Sequence, residues 1–151
     1  MKITSPSFEE GWKIPEKFTA DGMDVNPELI IGYIPEGAES LVLIVDDPDA
    51  KRVAGYTWVH WVLFNIPVEG NVVKIPEDSI VGTPGESTYR KKEYGGPNPP
   101  PRTGKHNYHF KVFALNEMLD LPEMAPLSDI ERESQGKILD KAEIVGQYWR
   151  D

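Results

Sequence analysis

Glycine and proline recur along the whole chain, and they constrain its fold more than any other feature. The 151 residues include 13 glycines and 14 prolines. Proline removes a backbone donor and both residues weaken helix interiors, so a bundle of long helices is excluded. The short segments between these residues are rich in β-branched and aromatic side chains, which favours strands joined by turns.

Five such segments predict strands, and the end of the chain predicts helix. The strands are expected at residues 29–34, 41–45, 57–65, 71–75 and 108–115. Residues 41–45 and 58–64 are apolar on both faces, which is typical of central strands covered on both sides. Near the C-terminus, Ser128 and Glu131 have capping-box spacing, and Gly136 is expected to divide the region into two short helices. The sequence therefore predicts a mostly β protein with a helical C-terminus, forming one domain over residues 1–151.

Charge and composition exclude several classes of function. The net charge of −9 argues against a nucleic-acid-binding protein and against adsorption to anionic lipid. Residues 51–115 nevertheless carry nine basic and five acidic side chains, a local balance that suits a small anion better than a polyanion. The absence of cysteine excludes disulfides, thiolate metal sites and cysteine nucleophiles. No apolar run is long enough to span a bilayer and residues 1–20 lack the apolar region of a signal peptide, so we expect a cytoplasmic protein without integral membrane association.

A cluster of carboxylates follows the most apolar strand. Asp46, Asp47 and Asp49 surround Pro48 directly after residues 41–45. Such a sequence is typical of a turn, because aspartate and proline both favour turns. Alternatively, Asp47 and Asp49 form a carboxylate pair at the end of the strand, since residues two apart point to the same side of an extended chain.

Two histidines are candidates for a shared site. In an extended segment 57–65, Trp58 and His60 are expected on one face together with Val62 and Phe64. A second cluster begins with the loop 95–101, whose two glycines allow close backbone approach to a ligand and whose consecutive prolines make a cis peptide plausible. In the strand after this loop, His106 and Tyr108 share one face, whereas Asn107 and His109 fall on the other.

The structural alternative for each of these residues is an ordinary core position or a rigid surface loop. Taken together, however, two histidines, two aspartates, a tyrosine, a tryptophan and a Gly/Pro loop are better explained by one pocket than by separate coincidences. His106 is expected at the rim of this pocket because it begins a strand after a loop, and Trp58 is expected in the core. His109 is expected to be structural or exposed.

The ordered series of motifs resembles the phosphatidylethanolamine-binding protein family, which includes the Raf kinase inhibitor protein and plant flowering regulators. The resemblance is strongest to the short bacterial and archaeal branch and covers nearly the whole chain. The matching segments are Ile3-Thr4-Ser5-Pro6-Ser7-Phe8, Phe18-Thr19-Ala20-Asp21-Gly22-Met23-Asp24-Val25-Asn26-Pro27, Asp47-Pro48-Asp49-Ala50, Trp58-Val59-His60-Trp61, Tyr94-Gly95-Gly96-Pro97-Asn98-Pro99-Pro100, Gly104-Lys105-His106-Asn107-Tyr108 and Ala142-Glu143-Ile144-Val145-Gly146-Gln147-Tyr148.

The resemblance implies a fold and a site. The fold is a large central antiparallel β-sheet packed on a smaller sheet, with flanking short helices. The site is a pocket at one end of the central sheet that takes phosphate or phosphorylethanolamine-like groups and uses no metal and no cofactor. The implied ligand-binding residues are Asp47, Asp49, Trp58, His60, Gly96, Asn98, Pro100, His106 and Tyr108. Relatives of the bacterial and archaeal branch are often dimeric, which makes a homodimer plausible.

Three positions depart from the family pattern. Lys51 stands where proline is usual, and its charge could lie at the rim of the pocket. Arg102 stands where the family has glycine, a departure that affects the shape of the loop. Asn107 replaces a frequent arginine that braces the acidic element.

The favoured function is binding of a small anion in a regulatory or ligand-sensing role, with no catalytic residues. Imidazole N–H groups and the Tyr108 hydroxyl would donate to the anion, and Asp47 would orient an imidazole or raise its pKa. Protonated histidine would then make binding weaken as pH rises. The first alternative is a hydrolase of small phosphate or carboxyl esters that uses Asp–His acid–base chemistry. The second is a metal site built from Asp47, Asp49, His60 and His106.

Overall fold

Two antiparallel sheets form most of the regular structure. The computed structural model describes residues 1–151. The smaller sheet has the order β1-β2-β5, from β1 (Lys2–Thr4), β2 (Leu29–Gly32) and β5 (Val73–Ile75). The larger sheet has the order β6-β4-β3-β7-β8, from β3 (Ser40–Asp47), β4 (Trp58–Pro67), β6 (Thr83–Pro84), β7 (His106–Leu115) and β8 (Ile138–Tyr148).

The helices are few and short. α1 (Lys51–Ala54) and α2 (Leu127–Ser134) are the α-helices, and single 3₁₀ turns occupy Glu16–Phe18 and Pro48–Ala50. Together with the two sheets, they confirm the predicted mostly β class, in which a larger sheet packs on a smaller one beside short helices.

β3 lies at the centre of the larger sheet and is buried along its whole length. Its residues Leu41, Leu43 and Val45 pack between the two sheets, where the strands of the smaller sheet contribute Leu29 and Ile31. The opposite face carries a second apolar cluster, in which α2 is anchored by Ile130. The prediction of a strand covered on both sides is therefore confirmed, and both faces end in polar residues at Asp46 and Asp47.

The C-terminal segment differs from the prediction. α2 begins after Pro126 rather than after Ser128, and no side chain caps it. The expected second helix is absent, because residues 138–148 form β8, which pairs with β7 over almost its whole length. This pairing satisfies the backbone and buries Ile144, Gly146 and Tyr148 at alternate positions, which outweighs the local helix signals.

A β-bulge in β4 overturns the expectation that Trp58, His60, Val62 and Phe64 share one face. Val45 pairs with Trp61 and Asp46 pairs with Val59, so His60 is the extra residue between them. A bulge shifts the alternation of side chains by one position. Val62 and Phe64 consequently pack under α2, whereas His60 lies against Tyr108 on the face between the sheets.

Candidate functional site

The ends of β3, β4 and β7 meet around a cavity of about 210 Å³. Seven of the nine predicted ligand-binding residues line it, namely Asp47, Trp58, His60, Asn98, Pro100, His106 and Tyr108. Asp49 and Gly96 do not. The remaining lining residues are Ala50, Val53, Ala54, Tyr89 and Pro99. The prediction that both histidines belong to one pocket thus agrees with the geometry.

Asp47 combines the two roles that the sequence left open. The chain turns at Pro48, and one carboxylate oxygen of Asp47 accepts a hydrogen bond from the backbone N–H of Ala50 at 3.2 Å. The other carboxylate oxygen lies 2.7 Å from Nδ1 of His106. Burial raises the pKa of Asp47, although the contact with His106 acts in the opposite direction. Asp47 is therefore both the cap of the 3₁₀ turn and a wall of the cavity.

His106 is held by the protein at both ring nitrogens. Its Nδ1 contacts Asp47, and its Nε2 lies 2.9 Å from the hydroxyl oxygen of Thr103. That hydroxyl also donates to the carbonyl of Pro100 at 2.8 Å, so it accepts from Nε2. Nε2 of His106 therefore donates to Thr103, while Nδ1 lies against the Asp47 carboxyl group, so the protein engages both ring nitrogens.

His60 presents a different nitrogen to the cavity. Its Nδ1 lies 2.6 Å from the carbonyl oxygen of Gly95, and because a carbonyl only accepts, Nδ1 carries the proton. Burial lowers the pKa of His60 to about 4, so the ring is neutral near pH 7. Its Nε2 has no hydrogen-bond partner in the protein, is not sealed from solvent, and offers a lone pair. His60 is therefore not the protonated imidazole that the sequence leads us to expect as a donor to the anion.

Aromatic rings form the walls of the cavity. Tyr108 packs edge-on to His60 with ring centroids 5.2 Å apart, and Tyr89 contacts His60 and Trp58 in the same way. Burial raises the pKa of Tyr108 well above its usual value, so its hydroxyl, which has no partner in the protein, stays a donor. The Trp58 indole N–H lies near the Tyr89 hydroxyl without forming a well-aligned hydrogen bond.

Asp49 points away from the cavity, contrary to the prediction. It lies in the 3₁₀ turn rather than in an extended chain, so it does not share a side with Asp47. One of its oxygens accepts from Arg52 at 3.1 Å, and the other accepts from the backbone and side-chain nitrogens of Asn107 at 2.7 and 3.1 Å. Burial acts to raise the pKa of Asp49, but these hydrogen bonds outweigh it and lower the pKa. Asn107 thus braces the acidic element in place of the usual arginine.

Gly96 is also a structural residue rather than a lining one. A Cβ at this position would lie 2.4 Å from the carbonyl oxygen of Phe18 and 2.9 Å from the Cα of Thr19. The backbone N–H of Gly96 donates to Asp24. Glycine is needed because the loop packs against the backbone of another segment, which fixes the position of the cavity wall.

Arg150, near the C-terminus, holds the part of the cavity wall that contains Asn98. The guanidinium of Arg150 donates to the side-chain oxygen of Asn98 at 2.8 Å and to the carbonyl of Pro99 at 3.0 Å. The same guanidinium pairs with Asp21 at 2.6 Å. No local sequence pattern predicts this contact, because the residues that form it lie far apart in the chain.

The loop keeps its turn despite its departures from the family pattern. Arg102 adopts a φ of 62°, in the left-handed region that glycine favours, and its N–H donates to the carbonyl of Arg150. All peptide bonds are trans, so the loop contains no cis proline.

Lys51 is exposed and does not line the cavity.

The burial of His106 and Trp58 is the reverse of the prediction, which placed His106 at the rim of the pocket and Trp58 in the core. His106 is 1% exposed, whereas Trp58 is only partly buried. Tyr89, which sequence reasoning missed, lies in an irregular segment where no periodicity indicates its orientation.

The four proposed metal ligands do not converge. Asp49 faces Arg52 and Asn107, and His60 uses Nδ1 for Gly95. The structure contains no group of three or more His, Asp or Glu side chains arranged to hold a metal ion. The geometry therefore does not support the metal-site alternative.

Comparison with known proteins identifies the family. The pattern that describes phosphatidylethanolamine-binding proteins matches residues 4–149. The chain belongs to the phosphatidylethanolamine-binding protein family. The UPF0098 protein of Aquifex aeolicus is 43% identical over 157 residues, which cover 100% of this chain and 90% of that protein.

Two crystal structures of phosphatidylethanolamine-binding protein homologues share the fold. A homologue from Chlamydia trachomatis has a TM-score of 0.90 at 31% identity, covering 99% of this chain and 97% of its own. Escherichia coli YbcL, described as a member of the mammalian family, has a TM-score of 0.88 at 25% identity, covering 99% and 98%. The resemblance predicted from the motifs is thereby confirmed. Neither helix of this family member is long and apolar enough to cross a bilayer.

Proposed function

We propose that the cavity binds a small anion of the phosphate type and that the protein acts as a binding or ligand-sensing module. The observation that carries this proposal is a set of hydrogen-bonding groups with spare capacity around one small cavity. The Tyr108 hydroxyl has no partner in the protein, and the amide of Asn98 keeps its N–H groups because Arg150 uses only its oxygen. At about 210 Å³ the cavity is smaller than typical pockets for drug-sized ligands, which favours a head group.

The carboxyl group of Asp47 is compatible with an anionic ligand because it is already hydrogen-bonded to His106. The two groups lie 2.7 Å apart, and both side chains are almost fully buried. A buried carboxylate without this partner would repel an anion and would itself be costly to desolvate. We assign the ligand contacts to Asp47, Trp58, His60, Asn98, Pro100, His106 and Tyr108, and positioning roles to Asp49 and Gly96.

Tyr108→Phe tests the proposal because it removes a hydroxyl that bonds to nothing in the protein. Calorimetric titration with inorganic phosphate should show affinity about 10- to 150-fold lower than that of the parent, as expected for one hydrogen bond of about 1.5–3 kcal/mol to a charged group. The thermal midpoint should stay within a few degrees of the parent value. Tyr33→Phe, at a residue 77% exposed, is the matched control and should bind like the parent. Equal phosphate binding by parent and Tyr108→Phe, or no binding by the parent, would refute the proposal.

Ester hydrolysis is the second candidate, and one observation favours it. Thr103, His106 and Asp47 form a hydroxyl–imidazole–carboxylate series with contacts of 2.9 and 2.7 Å, the order found in nucleophilic triads. The Thr103 hydroxyl, however, donates to Pro100 and does not line the cavity, which favours a structural role. Turnover of p-nitrophenyl acetate or phosphate by the parent, lost in His106→Gln, would establish this alternative.

We further propose a cytoplasmic protein of one domain that forms a homodimer. No nucleic acid is expected as a partner, given the net charge of −9. Light scattering coupled to size exclusion measures the mass in solution directly. A mass of 17.0 kDa, that of one chain, would refute the dimer.

A further inference from the structure

We propose that the cavity selects the protonated monoanion of a phosphate monoester, and that Nε2 of His60 accepts the hydrogen bond from the ligand's own O–H. The inference rests on the proposed function, because it specifies which form of the anion the same cavity takes. His60 is thereby a specificity-determining residue.

The first observation is that Nε2 of His60 is a hydrogen-bond acceptor, whereas a site for an anion is expected to present hydrogen-bond donors. Nδ1 of His60 donates a hydrogen bond to the carbonyl oxygen of Gly95 at 2.6 Å. Nε2 is left with a lone pair, has no partner in the protein and is open to the cavity. A lone pair repels a fully deprotonated phosphate oxygen and attracts a P–OH group. The bulge in β4 holds the ring in this orientation, since His60 is the extra residue between Val59 and Trp61.

The second observation concerns charge. No Lys or Arg lines the cavity, and its one carboxyl group, that of Asp47, already contacts His106 at 2.7 Å. The charged groups that act on His60 from the surrounding elements, Asp46 on β3 and Asp24 beside the 95–96 loop, are both acidic. Tyr89 and Tyr108 pack against the ring and supply no positive charge. A dianion would therefore be buried without compensation, whereas a monoanion costs much less.

The neutral state of His60 agrees with both observations. Burial lowers the pKa of the ring to about 4, although Gly95 and the nearby aspartates act to raise it. Between pH 5 and 8 His60 consequently stays neutral, whereas the ligand, whose second pKa is about 6, changes its charge.

Three probes separate the ligand's proton from the protein's. Methyl phosphate changes from monoanion to dianion over this range, dimethyl phosphate is a monoanion without an O–H, and sulfate is a dianion without an O–H. Calorimetry on the full chain at constant ionic strength should show methyl phosphate affinity falling about 90-fold from pH 5 to pH 8, which is the change in the monoanion fraction for a pKa of about 6. At pH 5, dimethyl phosphate should bind at least about tenfold more weakly than methyl phosphate, with no pH dependence. Sulfate should bind more weakly still.

His60→Asn tests the residue itself. The amide nitrogen of asparagine can replace Nδ1 as donor to Gly95, whereas nothing replaces Nε2. This variant should bind methyl and dimethyl phosphate with affinities within about threefold of each other at pH 5, because its preference for the O–H is lost. His109→Asn, on the opposite face of β7, is the matched control and should keep the full preference. Thermal melts verify that both variants are folded.

Each contrary result has a distinct meaning. Equal, pH-independent binding of methyl and dimethyl phosphate overturns the inference and leaves the proposed function intact. A sulfate affinity that rises as steeply as that of methyl phosphate when pH falls places the titrating proton on the protein rather than on the ligand, and also overturns the inference. Binding of none of the probes refutes the proposed function and the inference with it.

Discussion

At the scale of the residue, burial determines the protonation state of His60 in the cavity. His60 and His106 lie in one cavity, but they have opposite relations to the protein: His106 contacts a carboxylate, whereas His60 contacts a carbonyl. The carbonyl fixes the tautomer of His60, and desolvation keeps its ring neutral. Of the two imidazoles in the cavity, His60 therefore keeps a ring nitrogen for a ligand, whereas both ring nitrogens of His106 contact the protein.

His60 should make the stability of the fold depend on pH. Its pKa is about 4 in the folded state and 6.5 in its ordinary state, so between these values the unfolded chain binds the additional proton. The free energy of unfolding should therefore rise with pH across this window, and His60 should contribute about 3 kcal/mol more stability at pH 7 than at pH 4. Asp47, whose pKa is raised, contributes with the opposite sign.

Urea denaturation of the parent and of His60→Asn at half-unit steps of pH isolates this contribution. The difference between the two proteins in unfolding free energy should increase from pH 4 to pH 6.5 and level off above it. His109→Asn controls for the loss of an imidazole at a less buried position. A parent-minus-variant difference that is flat over the window would show that His60 has an ordinary pKa in the fold.

At the scale of the element, Asp49 joins the turn after β3 to the start of β7. Its carboxylate takes three hydrogen bonds from Arg52 and Asn107, and Arg52 in turn donates to the carbonyls of Thr103 and Lys105 at 3.0 and 3.1 Å. The turn held in this way carries the Thr103 hydroxyl that contacts His106. Asp49 is therefore a positioning residue for the cavity.

Asp49→Ala should cost about 1.5–3 kcal/mol of unfolding free energy, since charge-assisted hydrogen bonds to the backbone and to Asn107 are lost. Asp129→Ala is a matched control, because Asp129 also pairs with an arginine three residues later, but on the exposed side of α2. We expect a loss of at most about 1 kcal/mol for that variant. Chemical denaturation of both proteins measures the two losses of unfolding free energy. Equal losses would show that Asp49 contributes no more than an ordinary surface ion pair.

At the scale of the whole molecule, the two sheets share one core. The larger apolar cluster contains Ile3 from β1, Leu29 and Ile31 from β2, Leu43 from β3 and Phe110 from β7. Neither sheet can keep its inner face buried without the other. The two sheets should consequently lose their structure together.

Unfolding should therefore follow a single transition. Far-ultraviolet circular dichroism reports on the strands, and fluorescence reports on the four tryptophans, of which Trp61 is fully buried in the shared core. The two signals should have coincident midpoints in urea, as expected for a two-state domain of this size. Midpoints that clearly differ would show that the sheets form separate cooperative units and would contradict the proposal of one domain.

The strands whose bounds agree best with the prediction are those indicated by their own local sequence. Residues 41–45 and 57–65 lie within β3 and β4 or one residue beyond, because short apolar β-branched runs bounded by breakers favour strands in any context. The sequence does not predict β1 or β6, because neither Lys2–Thr4 nor Thr83–Pro84 contains a run of apolar or β-branched residues long enough to indicate a strand. β8 was read as helix because its strand character depends on pairing with β7.

The residue types of the candidate site, their order and the family were determined by the sequence itself, since these depend on chemistry and spacing along the chain. The same holds for the mostly β class, which follows from the distribution of glycine and proline. Only the tertiary structure decided which groups face the cavity: the bulge turns His60 inward, and the 3₁₀ turn separates Asp49 from Asp47. It also decided which nitrogen of each histidine carries a proton, because desolvation and hydrogen bonds come from segments distant in sequence. Local propensities amount to less than about 1 kcal/mol per residue, and long-range pairing and burial outweigh them.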